Sequence, residues 1–116
     1  MIGMTYKEIA QMIRGTGLQY AYYSFPTDQA PPLPYVVYFY PDRNDMMADN
    51  ENYVRVERLI VELYTETKDF DTEATIETAF TNNHITYDKT ETFINSENMY
   101  QCYYETQIVI VPEPLQ

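Results

Sequence analysis

The chain has 116 residues, and its 18 acidic and 7 basic side chains give a formal net charge of −11. This length predicts a single domain, and a hydrophobic share of 45% argues against general disorder. The negative charge disfavours binding to a nucleic-acid backbone, and no apolar run approaches the roughly 18 residues of a membrane span, so we expect no membrane partner.

The first predicted element is a helix over residues 5–14. Thr5 and Glu8 have the spacing of a capping box, in which the threonine oxygen accepts a hydrogen bond from the N3 amide and the glutamate accepts one from the N-cap amide. Gly15 or Gly17 is expected to end the helix, because glycine adopts the left-handed conformation at little cost.

Two short strands are expected next. Residues 18–25 are aromatic and lack helix signals, and residues 34–41 (PYVVYFYP) combine β-branched and aromatic side chains between prolines. Residues 41–52 have no hydrophobic period and contain many turn formers, which predicts an exposed, mobile loop.

Residues 53–66 predict a long strand whose second half is almost continuously apolar. Its faces are not separated by the sequence, because Arg58 and Glu62 fall on the same side as Val56 and Ile60. We therefore leave open which face of this strand packs against the helices.

A second helix is predicted in KDFDTEATIETAFTNNH, where Asp69, Asp71 and Glu73 occupy the first turn as solvated acids that favour the helix dipole. Residues 85–111 predict two further strands joined by the turn NSEN. Residues 112–116 contain two prolines and predict a short extended tail.

This order of elements predicts a single α+β domain over residues 1–111. We expect two layers: an antiparallel sheet of about five strands, with two helices on one face. The two edges of such an open sheet can pair with other chains, and 13 tyrosines suit half-buried sheet faces and subunit interfaces.

The sequence offers little support for catalysis, a cofactor or a dedicated metal site. The single cysteine, Cys102, lies on the apolar face of a strand, where a thiol has a raised pKa and low reactivity, and nothing places His84 beside it. Asp42 and Asn44 match the start of a calcium loop, but Met47 stands where that loop requires glycine. We therefore expect no enzyme activity.

The tyrosines and acids leave alternatives open. Aromatic rows can stack single-stranded bases, but such surfaces are basic, and here the basic residues are scattered. Tyrosine packing in the core and against a neighbour is favoured instead. The acids could serve solubility, DNA mimicry, or a tube wall past which DNA slides without sticking.

Three stretches resemble one family: PYVVYFYPDRNDMMADNENY, VELYTETKDFDTEATIETAF and INSENMYQCYYETQIVI. Their pattern is similar to tail terminator proteins of long-tailed phages and prophages of Gram-positive bacteria, also called tail-completion, head-tail joining or minor capsid proteins. The resemblance covers about residues 5–111.

The resemblance implies a virion protein of the phage tail, assembled in the cytoplasm of the host bacterium. Such a protein forms a ring, usually a hexamer, which caps the major tail tube protein and joins it to the head-tail connector. DNA then passes through the lumen without specific binding. The family offers no catalytic residues.

The loop is the stretch that we expect at a contact with another subunit or with the tube, because paired hydrophobic residues on an exposed loop suit assembly. The predicted contact residues are Asp45, Met46, Met47, Ala48, Asp49 and Asn50. Two alternatives remain: another connector, head-closure or tail-tube subunit, or an acidic inhibitor of a host nucleic-acid-binding protein.

Overall fold

A computed structural model describes residues 3–113 of the chain. The predicted tail over residues 112–116 therefore lies largely outside the described residues. The described part contains the following elements in chain order: β1 (Gly3–Met4), α1 (Tyr6–Arg14), β2 (Gln19–Tyr22), β3 (Tyr35–Phe39), β4 (Met46–Ala48), β5 (Glu51–Thr65), α2 (Phe70–Asn82), β6 (Asp88–Ile94) and β7 (Met99–Ile110).

The predicted five-stranded antiparallel sheet in two layers is wrong. The strands form one mixed sheet of seven, curled into a half-barrel, with the order β1-β7-β5-β3-β2. β4 pairs with β5 beyond the end of β3, and β6 pairs with β7 beyond the end of β1. Two of these strands, β1 and β4, are too short to give a periodic signal in the sequence.

The sheet is mixed because two pairs are parallel, β1 with β7 and β2 with β3. We expected consecutive strands to pair antiparallel, as in a hairpin. The proline-rich connection over residues 23–34 is instead long enough to return the chain to the end of the sheet where β2 began. β3 can therefore start beside the start of β2.

The first helix begins as the sequence predicts. The Thr5 hydroxyl oxygen accepts a hydrogen bond from the Glu8 amide at 3.0 Å, and Glu8 Oε1 accepts one from the Thr5 amide at 2.9 Å. At the other end Gly15 remains right-handed with φ −65°, and Gly17 adopts the left-handed conformation with φ 78°.

Both helices pack on the same face of the sheet. The core contains Leu59, Val61 and Leu63, the odd-numbered residues of β5, together with side chains from both helices. The helical contributors are Ile9, Met12, Ile13, Ile76 and Phe80. The structure thus resolves the ambiguity of β5, because the even-numbered residues face away from the helices.

That opposite face, which we call the open face, is neither fully apolar nor fully solvated. Ile60 is completely buried there, while Arg58 Nε donates to Glu105 Oε1 on β7 at 2.6 Å. Glu62 accepts a hydrogen bond from Gln101 at 3.1 Å, and burial raises the pKa of its carboxyl group. Long polar side chains that bond across strands explain why β5 lacks a clean alternation.

The molecule is elongated, with extents of 50 × 27 × 27 Å. β5 accounts for the long dimension, because 15 residues at about 3.3 Å each span about 50 Å. Its first residues, 51–54, extend beyond β7, whose pairing with β5 begins at Arg55. A two-stranded hairpin therefore forms one end of the molecule.

Candidate functional site

The predicted mobile loop over residues 41–52 is a β-hairpin. Met46 pairs with Val54, and Ala48 pairs with Glu51, with a register shift between Met46 and Met47. The turn is made by Asp49 and Asn50, both left-handed with φ of 53° and 64°. Two consecutive residues of this conformation make the tight turn that matches strand twist, and Asp and Asn tolerate it best after glycine.

Asp45 anchors this hairpin to β5. Its side chain is only 3% exposed, and it accepts hydrogen bonds from Arg43, from Asn52 Nδ2 at 2.8 Å and from the Val56 amide at 3.0 Å. The Arg43 guanidinium and the Val56 amide hold the pKa of this carboxyl group well below its usual range. Asp45, a predicted contact residue, thus binds its own chain.

The other predicted contact residues are exposed. The exposed fraction is 61% for Met46 and 74% for Met47, and Ala48, Asp49 and Asn50 are exposed too. Tyr53, which the sequence did not single out, is 76% exposed on the same hairpin. Large apolar side chains grouped on a projecting element are typical of a contact surface.

A groove of about 470 Å³ lies at the base of the hairpin. Arg43 and Arg55 contribute the cationic part of its lining, and Ile110 and Val111 contribute an apolar part. Tyr6 also lines it, and the Tyr6 hydroxyl donates to Glu57 Oε2 at 2.6 Å. The sequence reasoning missed this groove, because its walls come from α1, β5 and β7, which are distant in the chain.

The tyrosines divide between the interior and the surface. Tyr104 is fully buried and Tyr38 is 9% exposed, whereas Tyr22 and Tyr23, which lie on and just after β2, are 52% and 69% exposed. The Tyr22 ring packs edge-on against Tyr38 at 5.3 Å between centroids. β2 is also a sheet edge, so exposed aromatic rings and an unpaired strand edge occur together.

An ion cluster centred on the buried Glu73 lies between α2 and β6, at the other end of β5. Glu73 is 2% exposed and accepts hydrogen bonds from Lys68 at 2.5 Å and from Lys89 at 2.6 Å. Lys89 also contacts Glu77 at 2.7 Å, and Lys68 pairs with Glu91. Burial alone would raise the pKa of Glu73, but the two lysines outweigh it and lower that pKa.

The interpretation of Glu73 as a solvated first-turn acid is therefore wrong. The sequence carried a signal that could have identified its burial. Glu73 lies three and seven residues before Ile76 and Phe80, which is the spacing of one helix face. An acid on an apolar stripe needs a buried partner, and here two lysines supply it.

Cys102 borders this cluster and is 1% exposed. Burial raises the pKa of its thiol to about 11, so the thiolate nucleophile is scarce at neutral pH. The Cys102 sulfur and carboxylate oxygens of Glu73 and Glu91 lie within 4.8 Å of one another, as in a metal site. The ammonium groups of Lys68 and Lys89 already neutralise these carboxylates, which disfavours a cation there.

His84 follows α2 in a left-handed conformation with φ 58° and is exposed. Among the hydrogen bonds found for residues 3–113, none joins its side chain to Cys102 or to a carboxylate. Neither of the two described helices is long and apolar enough to cross a membrane.

Comparison with known proteins adds no family. No protein-family model matches this chain, and no curated protein matches it either.

Proposed function

We propose that the protein is a phage virion structural protein, a tail terminator subunit that assembles into a ring, most simply a hexamer. The observation that carries the proposal is the anchored hairpin, which holds Met46 and Met47 exposed at one end of the molecule. The resemblance of three stretches of the chain to tail terminators is the reason for proposing a ring at the end of the tail tube as the assembly. Exposed tyrosines beside the edge of β2 supply a second surface for contact.

The proposed partners are copies of the same chain, the major tail tube protein and the head-tail connector proteins. The net charge of −11 supports this role, because a negatively charged lumen repels the DNA duplex. The DNA can then pass through the ring without sticking to its wall. The protein would then be found in the tail of the virion, after assembly in the host cytoplasm.

The test is whether the chain occurs in particles as a ring. Purified protein is examined by sedimentation and electron microscopy, alone and mixed with tail tubes, and an antibody against the chain is applied to purified virions. We expect rings at the head-proximal end of the tube. A protein that stays monomeric on tubes and is absent from virions would overturn the proposal.

The alternative functions make different predictions. A head-closure or connector protein would label the particle above the tube end, and a tail-tube subunit would label the whole length of the tail. An acidic inhibitor would bind a host nucleic-acid-binding protein as a stable monomer. The ion-paired acids argue against mimicry, because a carboxylate paired with an arginine or a lysine does not present a free, phosphate-like charge.

A further inference from the structure

The groove at the base of the hairpin presents one arginine, Arg55, without a carboxylate partner in the described part of the chain, and its guanidinium group lies beside the Tyr6 hydroxyl. Arg55 is exposed, and among residues 3–113 no carboxylate lies within 4.0 Å of its guanidinium group. Arg43, the other arginine in the lining, is already paired with Asp45. A carboxylate that entered the groove could bind Arg55 without displacing another acid.

The tip of the hairpin has the complementary chemistry. Asp49 and Glu51 are exposed acids that form no ion pair within the described part of the chain, and Met46 and Met47 expose their side chains beside them. An acid and a flexible apolar side chain match the guanidinium group of Arg55 and the apolar atoms of Ile110 and Val111, although Glu113 adds one acid to the same lining.

The tip cannot occupy the groove of its own chain. A strand rises about 3.3 Å per residue, so the turn at Asn50 lies about 16 Å beyond Arg55. The ladder between β4 and β5 and the bonds of Asp45 keep the hairpin extended. Only a second copy can bring a tip to this groove.

The size and rigidity of the parts favour such a contact. A volume of about 470 Å³ falls within the range of ligand-binding pockets and admits several side chains. The hairpin is already ordered by its turn and by Asp45, so little conformational entropy is lost when it binds.

We propose that the hairpin tip of one copy, with Asp49, Glu51 and its two methionines, docks in the groove of a second copy, where its acids bind Arg55. This inference deepens the proposed function and depends on it only in that the chain acts through self-association. Each copy then inserts its hairpin into the groove of another copy and accepts a hairpin in its own groove.

The test uses two charge-reversed chains. The groove variant is Arg55→Glu. The tip variant is Asp49→Asn with Glu51→Lys, in which asparagine tolerates the left-handed turn. Contacts between copies of the same variant are repulsive, whereas every contact between the two variants is matched, because a lysine tip meets a glutamate groove and an acidic tip meets Arg55.

Sedimentation velocity should show wild-type association, a rise of about tenfold or more in the dissociation constant for each variant alone, and recovery in the equimolar mixture. Native mass spectrometry of the mixture should find both chains in equal numbers. Arg14→Glu, a reversal of an exposed cation on α1, is the matched control and should associate as wild type. Circular dichroism checks that each variant is folded.

The inference is overturned by a wild-type chain that is monomeric at about 1 mM, by variants that associate as wild type, or by a mixture that does not recover. If both variants still form rings on tail tubes, the inference is overturned and the proposed function stands. Tip-to-groove pairing that closes only into dimers absent from virions would overturn the proposed function instead.

Discussion

The two ends of β5 handle charge and apolar surface in opposite ways. At the end near α2, Glu73 is buried and every carboxylate of the ion cluster meets a lysine. At the hairpin end, Asp45 and Glu57 are enclosed carboxylates, while Met46 and Met47 stay in solvent.

This difference separates stability from association. At the cluster end, the charged side chains bind one another, so a substitution there is expected to change the stability of the fold. The hairpin end leaves apolar area uncovered on a rigid support, so a change there is expected to act on binding. The following predictions test that division, beginning with the largest effect on stability.

Removing the central acid should cost the most. Glu73→Ala leaves Lys68 and Lys89 without their shared partner, and we expect the free energy of unfolding to fall by about 2 kcal/mol. The loss stays below that of a fully buried pair, because the lysine side chains are 28% and 32% exposed and can reach water. Urea unfolding measures it, and Glu66→Ala, at an exposed acid nearby, is the control.

The same cluster should give a pH signature. Because the folded pKa of Glu73 lies below its ordinary value of 4.5, its contribution is complete above pH 4.5 and is lost as the pH falls through the folded pKa. The stability of Glu73→Ala should therefore decline less than that of wild type on acidification. Equal declines would show that the lysines do not stabilise the ionised acid.

Cys102→Ser should destabilise the fold by about 1 kcal/mol, because the substitution places a hydroxyl group in the core. Thermal unfolding measures the loss, and association should be unchanged once the protein is folded. A variant of full stability that has lost its function would instead revive a catalytic role for the thiol.

Asp45→Ala should loosen the hairpin while lowering the global stability by less than about 1 kcal/mol. It removes the acceptor for Arg43, Asn52 and the Val56 amide, so amides of residues 46–54 should exchange faster with deuterium, while those of β7 do not. Asp42→Ala, which removes an exposed partner of Arg58, is the comparison. Unchanged exchange in the hairpin would refute the anchoring role.

Met46→Asp with Met47→Asp should have the smallest effect on stability, within a few tenths of a kcal/mol, because both side chains are exposed. Ring formation or tube capping should nevertheless be impaired. Phe70→Asp, at a residue 71% exposed at the other end of β5, should leave assembly intact. Normal assembly of the methionine variant would show that the hairpin is not at a contact.

The local elements could be predicted from the sequence because their signals lie within a few residues. The capping box of Thr5 and Glu8 starts α1, and the alternating and apolar runs of residues 53–66 correspond to β5. The burial of Cys102 also followed from its place in an apolar strand.

The tertiary structure decided which segments meet. The two-residue strand β1 exists because β7 offers it a partner, and β4 is a strand because β5 runs past the rest of the sheet. The groove around Arg55 likewise joins α1, β5 and β7. Pairing and enclosure depend on residues far apart in the chain, and no local pattern of side chains specifies them.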